Sequence, residues 1–216
     1  MIKIEFIRNL FKPIQPSVKE GNKDVVYNGI APNKKLKNII HCYWQIKTNK
    51  FLDAPYVYRV VSDGCVDIFF NLNNTNESFV MGFCRSYTEF PLGKDFNYFG
   101  VRFYPSVFPL IFGISAKSLL DKDQPLKSIL PNLDKFISKE IHGNLSKSIQ
   151  ELNDFFISLI DGKQISIDGR FYHALMLILE QNGYLQTEKD LNIGLGSRQL
   201  RRLFNYYIGT TPKSFS

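Results

Sequence analysis

Three arginines, Arg198, Arg201 and Arg202, fall close together near the C-terminal end of the chain. A guanidinium offers two parallel N–H donors, which match O6 and N7 of guanine or the oxygens of a phosphate. At spacings of three and four, the three side chains share one side of a helix. Ser197–Ile208 reads as that helix, because Leu200, Leu203, Phe204 and Tyr207 recur at i, i+3, i+4 and i+7 and form one apolar stripe. Ser197, Arg198, Arg201 and Arg202 lie outside the stripe, toward the N-terminal end. In a helix-turn-helix, that end of the second helix enters the major groove. Upstream, Thr187 to Ile193 reads as a short first helix, and Gly194 and Gly196 permit the tight turn between the two. No acidic side chain follows Asp190, while Lys213 adds another cation. A tail of one sign is the electrostatic footprint of phosphate contact. Ser197, Arg198, Arg201, Arg202 and Lys213 are therefore the candidate DNA-binding residues of a helix-turn-helix over Leu185–Ile208. A solvated basic face on an ordinary helix pair has the same spacing, so period and charge alone leave both readings open.

A second constellation lies in the first half of the chain. Aromatic residues crowd the segments around Tyr43-Trp44, Tyr56, Tyr58, Phe69-Phe70, Phe99 and Phe103, and Arg59, Asp67 and Arg102 stand among them. Apolar walls with a few polar groups are what a small-molecule cavity needs. Trp44, Tyr58, Arg59, Asp67, Phe69 and Arg102 are the candidate ligand-binding residues. Core packing is the competing use of each ring, and strand alternation can equally turn the charges to solvent. His41 beside Cys42 is the one suggestive metal-ligand pair. Cys42, Cys65 and Cys84 are odd in number and widely spaced, which argues against a disulfide framework and against a structural zinc site.

These side chains need two kinds of scaffold. Up to about Phe103 the chain reads as short strands: Ile39–Ile46, Tyr56–Val61, Cys65–Leu72 after a Ser62–Gly64 turn, Phe79–Phe83, Tyr87–Leu92 and Asn97–Phe103. Their turn-punctuated spacing suggests an antiparallel sheet or small barrel rather than alternating β-α units. Pro55, Pro91 and Asn73–Asn76 sit at breaks. Beyond Pro105 the apolar period lengthens. Ile149, Leu152, Phe156 and Leu159 share a helix face, available for packing on the sheet or on a second subunit. Asp168 caps a further helix carrying Phe171, Ala174, Leu175, Ile178 and Leu179, which Gly183 can end. Gly209 stops the basic helix, and Thr211-Pro212 reads as the N-cap and first position of another. A boundary in the Asp161–Ser166 loop divides the chain into residues 1–162 and 163–216.

Composition bounds the function. The chain has 216 residues, 44% of them hydrophobic, and a formal net charge of +7. That suits a packed globular protein with a mild preference for polyanions. No apolar run approaches the roughly 18 residues of a membrane span. The N-terminus lacks the apolar block of a secretion signal, so a cytoplasmic location is expected. An enzyme is the main rival class. A metal-dependent barrel requires several His and carboxylate ligands in strands, yet His142 and His173 fall in helical segments. There is no G-x-S-x-G and no P-loop, so no catalytic residue and no cofactor is expected. A ligand-binding module without DNA contact is the third reading.

The motif R198-Q-L-R-R-L-F204 followed by G209-T-T-P-K-S-F215 resembles the first helix-turn-helix of AraC-type transcription regulators. The earlier pieces resemble the sensor region of one subgroup of that family. They are Pro32, Leu36, Ile40 and Tyr43-Trp44, then S62-D-G-C-V-D-I-F-F70, G100-V-R-F-Y-P105, and G113-I with Leu119 and Pro125. The resemblance implies an α+β protein: an N-terminal antiparallel β sheet or small cupin-like barrel with following helices, then an all-α helix-turn-helix segment. It implies Leu200 and Phe204 as core positions of the recognition helix, and Arg198, Arg201 and Arg202 as residues facing double-stranded DNA. The N-terminal region would bind a small-molecule effector or form a homodimer. Two departures stand out. Gly196 replaces the family's usual Ser-like cap, at a cost of roughly a few tenths of a kcal/mol. The family also carries a second helix-turn-helix after the linker helix, whereas this sequence ends at Ser216. The implied expectation is a piece of a longer regulator whose specific DNA binding is weak or undetectable by itself.

Overall fold

The computed structural model describes residues 5–13, 23–61, 63–163, 167–184 and 193–216. Ser62, and the expected first helix of the helix-turn-helix up to residue 192, lie outside the described residues. The protein is α+β, with an antiparallel sheet followed by helices.

Eight strands are described: β1 (Val25–Ile30), β2 (Ile40–Thr48), β3 (Tyr56–Val60), β4 (Val66–Asn71), β5 (Asn74–Met81), β6 (Thr88–Gly93), β7 (Asn97–Phe103) and β8 (Asp123–Pro125). Six form one antiparallel sheet in the order β1-β2-β7-β4-β5-β8, and β3 pairs with β6 as a separate ribbon. Three of these strands differ from the sequence reading; one is β8, a three-residue strand at the sheet edge that was not expected. β1 was not expected; it pairs along its length with β2, Asn28 opposite Gln45 and Gly29 opposite Trp44. β5 starts at Asn74, inside the expected Asn73–Asn76 break, because pairing with β4 recruits polar residues that propensity alone excludes.

Each strand of the sheet has two faces, and period-2 alternation divides its residues between them. Tyr43, Ile68, Phe70, Phe99, Val101 and Phe103 face the helices and are fully buried in the main core. Their chain neighbours Trp44, Phe69 and Tyr98 pack on the opposite face, toward the β3–β6 ribbon. The aromatic run is thus divided between two faces of the sheet, and strand parity decides which ring lies on which.

The helices are α1 (Glu5–Leu10), α2 (Val107–Phe112), α3 (Leu126–Ile129), α4 (Pro131–Glu140), α5 (Leu145–Ile160), α6 (Gly169–Glu180), α7 (Ser197–Tyr207) and α8 (Pro212–Phe215), with a 3-10 turn at Ala116–Leu119. Asn144 caps α5 by accepting from the Lys147 N–H at 3.0 Å, which satisfies one free donor of the first turn. Leu152 and Phe156 have no exposed surface, and the Phe156 ring meets Phe103 edge-on at 5.5 Å. Asn153 pins the same helix to the sheet, accepting from Tyr43 Oη at 3.0 Å and from the Asn33 N–H at 3.1 Å. The centre of the 149–159 stripe therefore packs on this protein's own sheet and is closed to a second subunit.

Asp168 caps α6 through the Arg170 N–H at 2.9 Å. Phe171 of α6 packs against Phe204 and Tyr207 of α7, at 5.0 and 4.8 Å between ring centroids. Among the described residues, one continuous apolar cluster includes Phe99, Phe156, Phe171, Leu200, Phe204 and Ile208. The core thus runs unbroken past the Asp161 loop into the C-terminal helices.

Candidate ligand cavity and basic helix

A cavity lies between the sheet and the β3–β6 ribbon. The sheet side is formed by Tyr27 of β1, Trp44 and Ile46 of β2, Asp67 and Phe69 of β4, Met81 of β5, and Tyr98 and Arg102 of β7. The ribbon side contributes Tyr58, Val60, Phe90 and Leu92. About 50 Å³ is open to the centre of a water-sized sphere. At roughly 10–15 Å³ per water, that holds a few waters or a fragment-sized molecule.

Polar groups gather at one wall. Asp67 pairs in register with Arg102 on the neighbouring strand. Its Oδ2 accepts from Arg102 Nε and Nη2, both at 3.1 Å, and its Oδ1 accepts from Trp44 Nε1 at 2.8 Å. Arg102 Nη2 also lies 3.2 Å from Asp63 Oδ2, so one guanidinium serves two carboxylates. Asp67 and Arg102 are both buried. Desolvation pushes the Asp67 carboxyl above its ordinary range, with Arg102 pulling against it. Burial works to lower the Arg102 guanidinium, but Asp67 and Asp63 outweigh it and hold the group well above its ordinary value, so it stays charged. A buried charge without partners would cost several kcal/mol, on the order of its effective desolvation penalty; here the three groups satisfy one another.

Gly100 makes this geometry available. It sits opposite Trp44 in the β2–β7 ladder, and a Cβ at this position would overlap the indole ring. Without a side chain there, the indole lies across β7 and reaches Asp67 on the strand beyond. Burial also raises the Tyr27 and Tyr58 hydroxyls well above their ordinary values, so the phenols stay neutral and can donate.

Of the six residues expected to bind a ligand, Trp44, Tyr58, Asp67, Phe69 and Arg102 line this cavity. Arg59 does not. It follows Tyr58 on the strand, so the pleat turns it outward, where it pairs with Glu89 at 2.9 Å on an exposed surface. Tyr98 was missed although period 2 through Gly100 and Arg102 identifies its face. Tyr27 was missed because β1 was. The ribbon residues Phe90 and Leu92 reach the cavity only through β3–β6 pairing, which no local signal specifies.

His41 Nδ1 lies 3.3 Å from Cys42 Sγ. Desolvation and the nearby Arg102 charge lower the His41 pKa, and burial pushes the Cys42 thiol up to about 12, so this thiol is not a ready thiolate ligand or nucleophile. Among the described residues no group of three or more His, Cys, Asp or Glu side chains is placed to hold a metal ion. Among them, too, no helix is long and apolar enough to cross a membrane.

The second feature is α7. Leu200 and Phe204 are buried, whereas Ser197, Arg198, Arg201 and Arg202 are exposed. The helix contains no carboxylate. Gly196 occupies the N-cap in an extended conformation and offers no side-chain cap. After α7, Gly209 takes φ +101° and Thr211 caps α8, accepting from the Ser214 N–H at 3.2 Å. Lys213 is exposed on α8. Tyr206 Oη donates to the Gly113 carbonyl at 3.3 Å, tying α7 to the end of α2.

No curated protein and no solved structure matches this chain. A family model, Domain of unknown function (DUF6597), matches residues 28–125, from the middle of β1 to the end of β8, a stretch that holds every cavity-lining residue except Tyr27.

Proposed function

We propose that the protein is a cytoplasmic, DNA-binding transcription regulator of AraC type whose β region binds a small effector in the cavity beneath the β3–β6 ribbon. One observation carries the DNA-binding half. The apolar stripe of α7 is anchored in the core, and its exposed side presents Arg198, Arg201 and Arg202 toward the N-terminal end with no carboxylate on the helix. Arginines held this way can grip phosphate or guanine without disturbing the fold. Support for the effector half comes from the aromatic cavity with its Asp67–Arg102 wall.

The test of DNA binding is a fluorescence-anisotropy titration of the chain with a mixed-sequence duplex, at several salt concentrations between about 50 and 200 mM. Binding should weaken as salt rises. Arg198→Ala and Arg202→Ala should each reduce the log–log salt slope by about one if the lost contact is to phosphate. No association at the lowest salt, or slopes untouched by both substitutions, would overturn the reading. The effector half is tested by a thermal-shift panel of small aromatic and apolar metabolites, with Arg102→Met as the control variant.

A further inference from the structure

The cavity wall does not end at the cavity. Arg102 reaches through it to Asp63, which lies outside the strands. Asp63 uses its other oxygen to accept from the Cys65 N–H at 3.1 Å, closing a side-chain turn around Gly64. Gly64 holds φ +79°, and a Cβ there would overlap the ring of Phe215. Glycine is required twice over at this position, for the backbone angle and for the close approach. Phe215 belongs to α8, and its ring packs 6.2 Å from that of Phe204, the fully buried residue that anchors α7. An unbroken set of contacts thus joins Trp44 and Asp67, through Arg102, Asp63 and Gly64, to Phe215 and the basic helix.

We infer that this Asp67–Arg102–Asp63 group is a coupling device: occupation of the cavity is transmitted to α7 and α8 through the Gly64 seat of Phe215, with Arg102 as the positioning residue. The inference rests on reading the cavity as a ligand site. The physical reason lies in the double pairing. A ligand acceptor that engages Arg102 from the cavity competes with Asp63 for the same guanidinium. The Asp63 turn is then held less firmly, and the seat of Phe215 changes with it. A ligand shifts an equilibrium only through contacts that differ between its states, and Arg102 is the group positioned to make that difference. Linkage is reciprocal, so loosening Phe215 must in turn be felt in the cavity. Trp44, the only tryptophan in the chain, reports there directly, because its Nε1 is bonded to Asp67.

The test uses the ligand-free chain in two directions. In hydrogen exchange, Asp63→Asn should speed exchange of the 197–216 amides at least about fivefold, the lower end of ordinary site-to-site couplings, while the β2, β4 and β7 amides keep their protection. Ile137→Val, a core change in α4 outside this set of contacts, should not produce that pattern. In the reverse direction, Phe215→Leu should change the emission maximum or acrylamide quenching of Trp44, and Phe136→Leu on the far side of α4 should not. Either readout unmoved would overturn the coupling. Phe215 is partly exposed, so Phe215→Leu keeps the test open even if Asp63→Asn fails to fold. Neither measurement contains ligand or DNA. An empty ligand panel would sink the effector reading and leave these two results legible.

Discussion

Arg102 and two arginines of α7, Arg198 and Arg202, put the same side chain to opposite uses. Arg102 is buried on a central strand and spends its donors on Asp67 and Asp63 within hydrogen-bonding distance. Arg198 and Arg202 are exposed on a helix that carries no carboxylate. In the first region the charge belongs to the fold, because the buried Arg102 guanidinium and the buried Asp67 carboxylate must neutralise one another, with the half-buried Asp63 beside them. In the second the charge is supplied to solvent, and the helix is held by the apolar residues beneath it. The contrast separates two properties that composition merges: a net charge of +7 says nothing about which cations are available to a partner.

Four sets of substitutions break or sharpen that contrast. The largest effects come from the two anchors. Arg102→Ala leaves two carboxylates without their cation and should cost about 3–5 kcal/mol of stability; Phe204→Ala, which removes the buried anchor of α7, should cost a similar ~3–5 kcal/mol. Urea unfolding measures both, and an Arg102→Ala chain as stable as the wild type would dissolve the distinction between the regions. Gly100→Ala comes next. The added methyl displaces the Trp44 indole from Asp67 and should cost about 1–3 kcal/mol, the range of an overpacked core, with a shift in Trp44 emission. Thr211→Ala removes the cap of α8 and should cost about 1 kcal/mol, read by thermal unfolding. Arg198→Ala and Arg202→Ala should change stability by no more than about 0.5 kcal/mol while weakening association with duplex DNA. A large loss of stability from either would place these arginines in the fold instead of on its surface.

Much of the scaffold was legible from residue order. Asn97–Phe103 is a strand with the expected bounds; Asp168 and Thr211 cap the helices they were expected to cap; and Leu200 and Phe204 form the buried stripe of α7. These features rest on interactions within a few residues, where side-chain period and backbone donors decide the outcome. Trp44, Asp67, Phe69 and Arg102 were picked out as candidates by type, but type could not say that they meet. Arg59 shows the limit: it stands one position from Tyr58 and has suitable chemistry, yet strand parity sends it to solvent beside Glu89.

By itself, the sequence determined the two chemistries, an aromatic β region with a few charges and a basic amphipathic helix, because both follow from side-chain type and local period. The tertiary structure decided what each charge does. Register between β4 and β7 sets Asp67 against Arg102, the missing side chain of Gly100 lets Trp44 reach across, and the Gly64 turn brings Phe215 near Asp63, more than 150 residues away in the chain. Such contacts depend on strand order and close approach between distant segments, for which no short window of residues carries a signal.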